Sequence, residues 1–319
     1  MKKCTNPYRF LLTFSLLLAA ACTFANGDDG EKKKTYSKSY PLSASEKISV
    51  TNQFGEVRVT TWSKAEVKVD VVVITHSESD ERAQSILDGI SIEDGKNSEG
   101  VFFKTVMPKN NNNNNNNNHD RKGDKDKKGN HNEGMEINYT VTMPAANPLK
   151  LENQFGKTFL PDLSGPVEIT EKFGELVAGN LSNVKSLQVE FGKAAIEGIN
   201  NGKVTVKFSE ASVKKMSGAI KANFEFSGKV SLPLSNSVTD FNLNNSYSSI
   251  TISVTNDFSG DFDIHTNFGD FKNDTSLPIK EQKDEDDHGP KFDKDYSGKS
   301  GTGACKVKMK SSFGNIKFM

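Results

Sequence analysis

The chain has 319 residues, and its 41 Lys and Arg balance 41 Asp and Glu, so the net charge is zero. The basic footprint of a nucleic-acid binder is missing, because the basic stretch from Arg121 to Lys128 is interleaved with Asp124 and Asp126. Three cysteines, Cys4, Cys22 and Cys305, are too few and too badly placed for a disulfide framework once an N-terminal leader is removed.

Lys2, Lys3 and Arg9 precede an apolar run from Phe10 to Ala21. A charged start, an apolar middle and small residues at the end predict a secretory signal peptide over 1–25. The run is shorter than the roughly 20 residues a spanning helix needs. Two cleavage readings stay open. Thr23-Phe24-Ala25 suits ordinary signal peptidase, whereas Leu18-Ala19-Ala20-Ala21-Cys22 resembles a relaxed lipobox that would make Cys22 a lipidated N-terminus. The expected address is the cell envelope (periplasm or outer-membrane lipoprotein) or the medium, with membrane contact only through such an anchor.

Residues 26–39 are polar and read as a flexible tether, leaving 40–319 as a single folded domain. Ile48, Val50, Phe54, Val57 and Val59 alternate with polar residues, and so do Val67, Val69, Val71 and Val73. Period-two alternation of β-branched residues predicts strands with one buried face. Ser79 to Gly89 reads as one short helix, with Ser79 as N-cap, Asp80 and Glu81 in the first turn, and a place at an open end of the stack. Two stretches of low apolar content, 107–134 with its unbroken Asn110 to Asn118 and the Lys/Asp/Gly-rich 280–302, read as disordered insertions between strands.

An aromatic residue followed by Gly or Ser recurs from Phe155 through Phe173, Phe191, Phe208 and Phe226 at a spacing of about 17–18 residues. Phe54, Tyr247, Phe268 and Phe313 repeat the phrase. A second corner falls about nine residues later in the regular repeats: Leu163-Ser164-Gly165, Leu181-Ser182-Asn183, Ile199 through Gly202, Met216-Ser217-Gly218 and Leu234-Ser235-Asn236. Two alternating corners mean two short strands per repeat, each with half its residues apolar. Such repeats bury their edges and apolar faces only by stacking about 4.8 Å apart. The prediction is therefore all-β, a right-handed parallel β-helix, with a hairpin meander as the competing fold. The corner aromatics are expected to form a buried interior ladder with Phe313 on its terminal rung. Gly and Asn are expected to supply positive φ at the corners.

Asn52-Gln53-Phe54-Gly55 leading into Val57 and Val59, Trp62 at the end of that strand, the Ser79–Gly89 helix and the serial Phe-Gly rungs resemble bacterial "putative adhesin" families of the DUF4097 type and the related head-to-GIN group. The resemblance covers about 40–319 apart from the insertions. It implies a right-handed parallel β-helix at the cell envelope and supplies no catalytic or ligand residues.

Little chemistry is visible. Asp261 and Asp263 flank an inward Phe262, and Glu190, Glu197 and Glu210 come from neighbouring repeats, but lysines are mixed among them. His76, His119, His131, His265 and His288 have no zinc-site spacing, and Asp284 to Asp287 lacks the Gly of a calcium loop. No cofactor or metal is expected. Cys305 reads as a small buried apolar residue and Trp62 as strand-end packing. The leading expectation is a non-enzymatic envelope protein binding a polysaccharide or another envelope protein. A polysaccharide-active enzyme and an envelope-stress or signalling accessory are the alternatives.

Overall fold

In this computed structural model the described residues are 30–108, 133–282 and 292–319. The leader with Cys22, the polyasparagine run, His119, His131, His288 and Asp284 to Asp287 lie outside them. The described residues are mostly β, in one large and mostly parallel sheet, with one helix.

The alternation places the core. Val67, Val69, Val71 and Val73 point inward in the strand Glu66–Ser77, each at most 1 % exposed. Ala194, Ile196, Ile199, Val204, Val206, Ala211, Val213, Met216, Ile220, Ala222 and Phe224 are all buried. The pairing register is parallel and one repeat apart. Leu151 stands beside Ile169, Ile169 beside Leu187, Leu187 beside Val204, Val204 beside Ala222, and Ala222 beside Leu243. Leu163, Leu181, Ile199 and Met216 of the second corner align likewise. A meander would pair consecutive strands antiparallel, so this register excludes it.

Strands that precede an aromatic corner pair with one another, and strands that follow it do the same. Lys193–Lys207 and Glu175–Glu190 run through the second corner and belong to both ranks. At this second corner Asn201, Gly202 and Gly218 have positive φ, as their residue types predict.

Antiparallel strands finish both ends. At one end Gly30–Pro41 pairs with Glu66–Ser77, which pairs with Gly134–Met143. The tether expected over 26–39 is therefore a strand from Gly30 onward. Tyr36 and Tyr40 on its half-buried face pack against the core, with Lys34 and Lys38 on the same face, while Glu31, Lys33, Thr35, Ser37 and Ser39 are exposed. At the other end Asp293–Lys299 pairs antiparallel with Gly260–Asn267 and with Ile279–Gln282. The loop expected over 280–302 is thus corrected in its described part, where 280–282 and 293–299 are strand. Backbone hydrogen bonds to an existing edge hold it, together with Tyr296 against Phe271 at 5.2 Å.

The helix Asp80–Gly89 forms where expected. Ser79 Oγ accepts the Arg82 N–H at 3.2 Å, and Ala83 and Leu87 are buried. It lies on the inward face of the terminal strands, where Thr75 Oγ1 donates to the Ala83 carbonyl at 2.9 Å. Lys34 Nζ donates to the carbonyls of Leu87 and Ile90, meeting acceptors that a helix end leaves open. No helix among the described residues is long and apolar enough to cross a membrane.

Candidate functional site

The repeated aromatic corner is the feature that needs most explanation. Positive φ falls on the aromatic residue itself: Phe54, Phe155, Phe173, Phe191, Phe208, Phe226, Tyr247, Phe268 and Phe313 have φ from 49° to 62°. The expectation that the following glycine supplies it is corrected. A left-handed backbone at a residue with a Cβ costs roughly 1–2 kcal/mol, and Gly would adopt it freely. A bulky ring kept there nine times is kept for its side chain.

Each of these residues is tied to the next rung. Phe173 N–H donates to the Glu190 carbonyl at 2.9 Å, Phe191 to Lys207 at 3.1 Å and Phe208 to Glu225 at 2.9 Å. The glycine beside the ring permits close stacking of backbones. A Cβ at Gly192 would lie 2.0 Å from the Gly174 carbonyl oxygen, and one at Gly174 would lie 2.0 Å from that of Gly156.

The rings stack. Centroids from Phe54 through Phe155, Phe173, Phe191, Phe208, Phe226 and Tyr247 are 4.6–5.2 Å apart, with planes within 8°. The stack continues to Phe313, then Phe268, then Phe292. Phe313 is therefore an inner rung. Its strand, Cys305–Ser312, pairs with both Val238–Ser246 and Gly260–Asn267 and so separates them.

Nor is the ladder interior. Its rings from Phe155 to Phe313 are 46–51 % exposed, and Phe292 is 55 % exposed. The left-handed turn carries each ring outside the core, where its faces are covered by neighbouring rings and its edge stays in water. Phe191→Ala is accordingly expected to cost about 2 kcal/mol, the sum of two stacking contacts and partial burial, rather than the 3–5 kcal/mol of a core phenylalanine. Phe313→Ala should cost a similar amount, since it too has two neighbours. Thermal unfolding of the pair checks this, and a much larger loss at Phe191 alone would contradict it.

Charged columns flank the ladder. Before the ring stand Lys172, Glu190, Lys207 and Glu225, with Lys172–Glu190 at 3.1 Å and Lys207–Glu225 at 3.0 Å. After it stand Lys157, Glu175, Lys193 and Glu210, with Lys157–Glu175 at 3.2 Å and Lys193–Glu210 at 3.6 Å. Beyond the second column lies a shallow groove of about 520 Å³. Small outward residues, Ala195, Ser212 and Ser231, line up across adjacent strands as its floor.

The acidic residues singled out in the sequence do not converge. Glu190, Glu197 and Glu210 each pair with a lysine of an adjacent rung, Glu197 with Lys214 at 2.6 Å. Asp261 and Asp263 are exposed on either side of buried Phe262, with Lys308 Nζ 4.0 Å from Asp263. His265 Nδ1 is 2.8 Å from Asp295 and His76 Nδ1 3.6 Å from Glu31. Among the described residues no three His, Cys, Asp or Glu are grouped to hold a metal. Trp62 is half-buried, its indole N–H donating to the Glu66 carbonyl at 2.8 Å with Lys64 over its ring. Cys305 is 1 % exposed, and burial pushes its thiol up to about 11, so it is a poor nucleophile.

One polar chain went unread in the sequence. Thr105 Oγ1 meets Tyr139 Oη and Asn52 Oδ1, each at 2.9 Å, and Asn52 Nδ2 donates to Asn153 Oδ1 at 3.3 Å. Asn153 Nδ2 reaches Thr158 Oγ1, which lies 2.5 Å from Glu171 Oε2. Glu171 is fully buried and its Oε1 has no hydrogen-bond partner. Burial pushes its carboxyl up to about 8, against the opposing bonds from Thr158 and Asn153. Its sequence signal was position: Asn52, Asn153 and Glu171 each stand two residues before a corner aromatic, on the inward side.

No family model matches the chain, and no curated protein does. The chain is similar to three solved structures from Bacteroides and Parabacteroides. A "putative adhesin" from Bacteroides fragilis NCTC 9343 has 12% identity and a TM-score of 0.39, over 90% of this chain and 97% of that one. A "putative lipid binding protein" from Parabacteroides distasonis ATCC 8503 has 8% identity and a TM-score of 0.32, over 89% and 96%. A "putative adhesin" from Parabacteroides merdae ATCC 43184 has 8% identity and a TM-score of 0.30, over 90% and 96%. With TM-scores below 0.5, these likenesses carry no weight for fold or function.

Proposed function

We propose that the chain is a non-enzymatic, exported envelope protein that winds as a right-handed β-solenoid and docks a partner along its aromatic ladder. The observation that carries this is the continuous line of half-exposed rings, each held in a backbone conformation that a smaller residue would adopt at less cost. Residues in strained backbone with exposed apolar side chains favour an interaction surface over packing alone. Glu190, Glu197, Glu210 and Asp263, each drawn toward a lysine, speak against the polysaccharide-active alternative.

Between the two partner classes, the ladder favours an envelope protein. Sugars stack on ring faces, and here the faces are covered by adjacent rings, leaving edges. The groove floored by Ala195, Ser212 and Ser231 favours a second reading, an extended polysaccharide. Sedimentation with isolated envelopes separates them. Purified Cys22→Ser protein, which carries no lipid, should pellet with the envelopes, and both a further Phe191→Ser and protease treatment of the envelopes should release it. Retention after protease would move the reading to polysaccharide, and full retention of the variant would remove the ladder from it. The anchor proposal is separate: with Cys22 intact, Phe191→Ser should leave the protein in the membrane fraction, and Cys22→Ser added to it should release it; release by Phe191→Ser alone would overturn the anchor.

A further inference from the structure

We propose that the partner of the ladder is a second copy of this chain, meeting it ridge to ridge and rung for rung about a two-fold axis parallel to the stack. This rests on the ladder being a docking surface.

The first support is area. A large aromatic side chain carries roughly 150–250 Å², so nine half-exposed rings present on the order of 700–1,100 Å² of contiguous apolar edge. The largest apolar patch on an ordinary monomer is about 300–600 Å². A standard interface takes about 800 Å² from each partner. The ladder alone reaches that size.

The second support is charge phase. Pairing within each flanking column requires only that Lys and Glu alternate along it. It does not fix one column relative to the other. Yet the two columns are in opposite phase: Lys172 and Glu175 flank Phe173, Glu190 and Lys193 flank Phe191, and Lys207 and Glu210 flank Phe208. A two-fold axis along the stack brings the leading flank of one copy against the trailing flank of the other. In equal register Lys172 then faces the second copy's Glu175, Glu190 its Lys193, and Lys207 its Glu210. A slip of one rung sets lysine against lysine and glutamate against glutamate, so the pattern selects one register. The contact is isologous, so it closes as a dimer instead of growing into a fibre.

The test is the oligomeric state of the purified full chain, with Cys4→Ser and Cys22→Ser, by sedimentation equilibrium. A dimer is expected, and Lys172→Glu with Lys207→Glu should weaken it at least tenfold at low salt. Geometry is read by adding Phe155→Cys. In the proposed arrangement position 155 faces its own equivalent, so mild oxidation should give a disulfide-linked dimer. An antiparallel pairing centred between Phe191 and Phe208 would hold those cysteines several rungs apart and unlinked. Buried Cys305 does not compete. A monomeric wild type at 100-micromolar order, or a dimer indifferent to the charge change and unlinked at 155, overturns the proposal. If the chain is monomeric while Phe191→Ser still releases it from envelopes, only self-pairing fails. If Phe191→Ser also leaves envelope binding intact, the docking reading fails with it.

Discussion

Gly192→Val should lower stability by on the order of 4–5 kcal/mol, the range reserved for severe steric or core damage. In a chain of this size that is a fall of roughly 10–20 °C in melting temperature. The cause is not φ, since Gly192 is outside the left-handed region. The added Cβ would meet a backbone oxygen at 2.0 Å, and a carbonyl fixed in a parallel ladder cannot move aside like a side chain. Valine adds two further methyl groups at the same point. Serine should be the mildest replacement, because Ser209 holds the equivalent place one rung on, with its Oγ accepting the Gly192 N–H at 2.9 Å. Gly228→Ala is the control. Its Cβ would meet nothing within 4 Å, so the change should stay within about 0.5 kcal/mol. Circular dichroism melts of the set measure the gradient, and equal effects at Gly192 and Gly228 would show that rung spacing is not what requires glycine.

Glu171→Gln should raise stability at alkaline pH and remove much of its fall between pH 5 and 9. The folded carboxyl titrates at about 8, above the ordinary value of 4.5, because burial disfavours its charge. The folded state therefore holds the proton more tightly. The protonated group's contribution is complete below about pH 4.5 and is lost as pH rises through about 8. Each tenfold gain in proton affinity on folding is worth about 1.4 kcal/mol, so the ceiling at pH 9 is on the order of 5 kcal/mol. Among the described residues no charged side chain pairs with Glu171 to offset this; Thr158 is its neighbour, and Oε1 is unpartnered. Glutamine keeps the shape and carries no charge at any of these pH values. The melting temperatures of the two proteins should converge near pH 4.5 and separate by roughly 8–15 °C at pH 9. Parallel curves across that range would mean that Glu171 is hydrated or relieved by movement.

What the residues announced and what they hid divide along physical lines. Alternation is a property of each strand by itself, so the inward set from Ala194 to Phe224 could be read without knowing a neighbour. The second corner was equally local, because Asn201 and Gly202 are residue types that suit positive φ. The first corner was misread because residue type pointed to glycine while the backbone placed the turn on phenylalanine, and with it the ring outside. The strands at 30–41 and 293–299 were missed because strands added at the ends of a sheet need little apolar content. Their partners supply the backbone hydrogen bonds, and pairs such as Lys294–Asp270 at 2.7 Å hold polar side chains in place. The chain of hydrogen bonds ending at Glu171 was hidden for the opposite reason: one polar residue per rung resembles an outward position until the register aligns it with Asn153.

The placement of Cys305–Ser312 between Val238–Ser246 and Gly260–Asn267 bears on how the chain is made. Although Gly134–Met143 also enters between two earlier strands, Val57–Thr61 and Glu66–Ser77, most rungs of the parallel stack can be laid down as they emerge, each upon the last. Here the strand that must come between two others is synthesised after both. Until it arrives, the two earlier strands can only face each other across a slot one strand wide, about 9.6 Å from side to side at ordinary strand spacing. Each keeps an open row of backbone donors and acceptors toward that slot. A chain stopped short of Cys305 is thus more than a shorter version of the same object: it is an acceptor for a β-strand, and its own last segment is the one shaped to fill it.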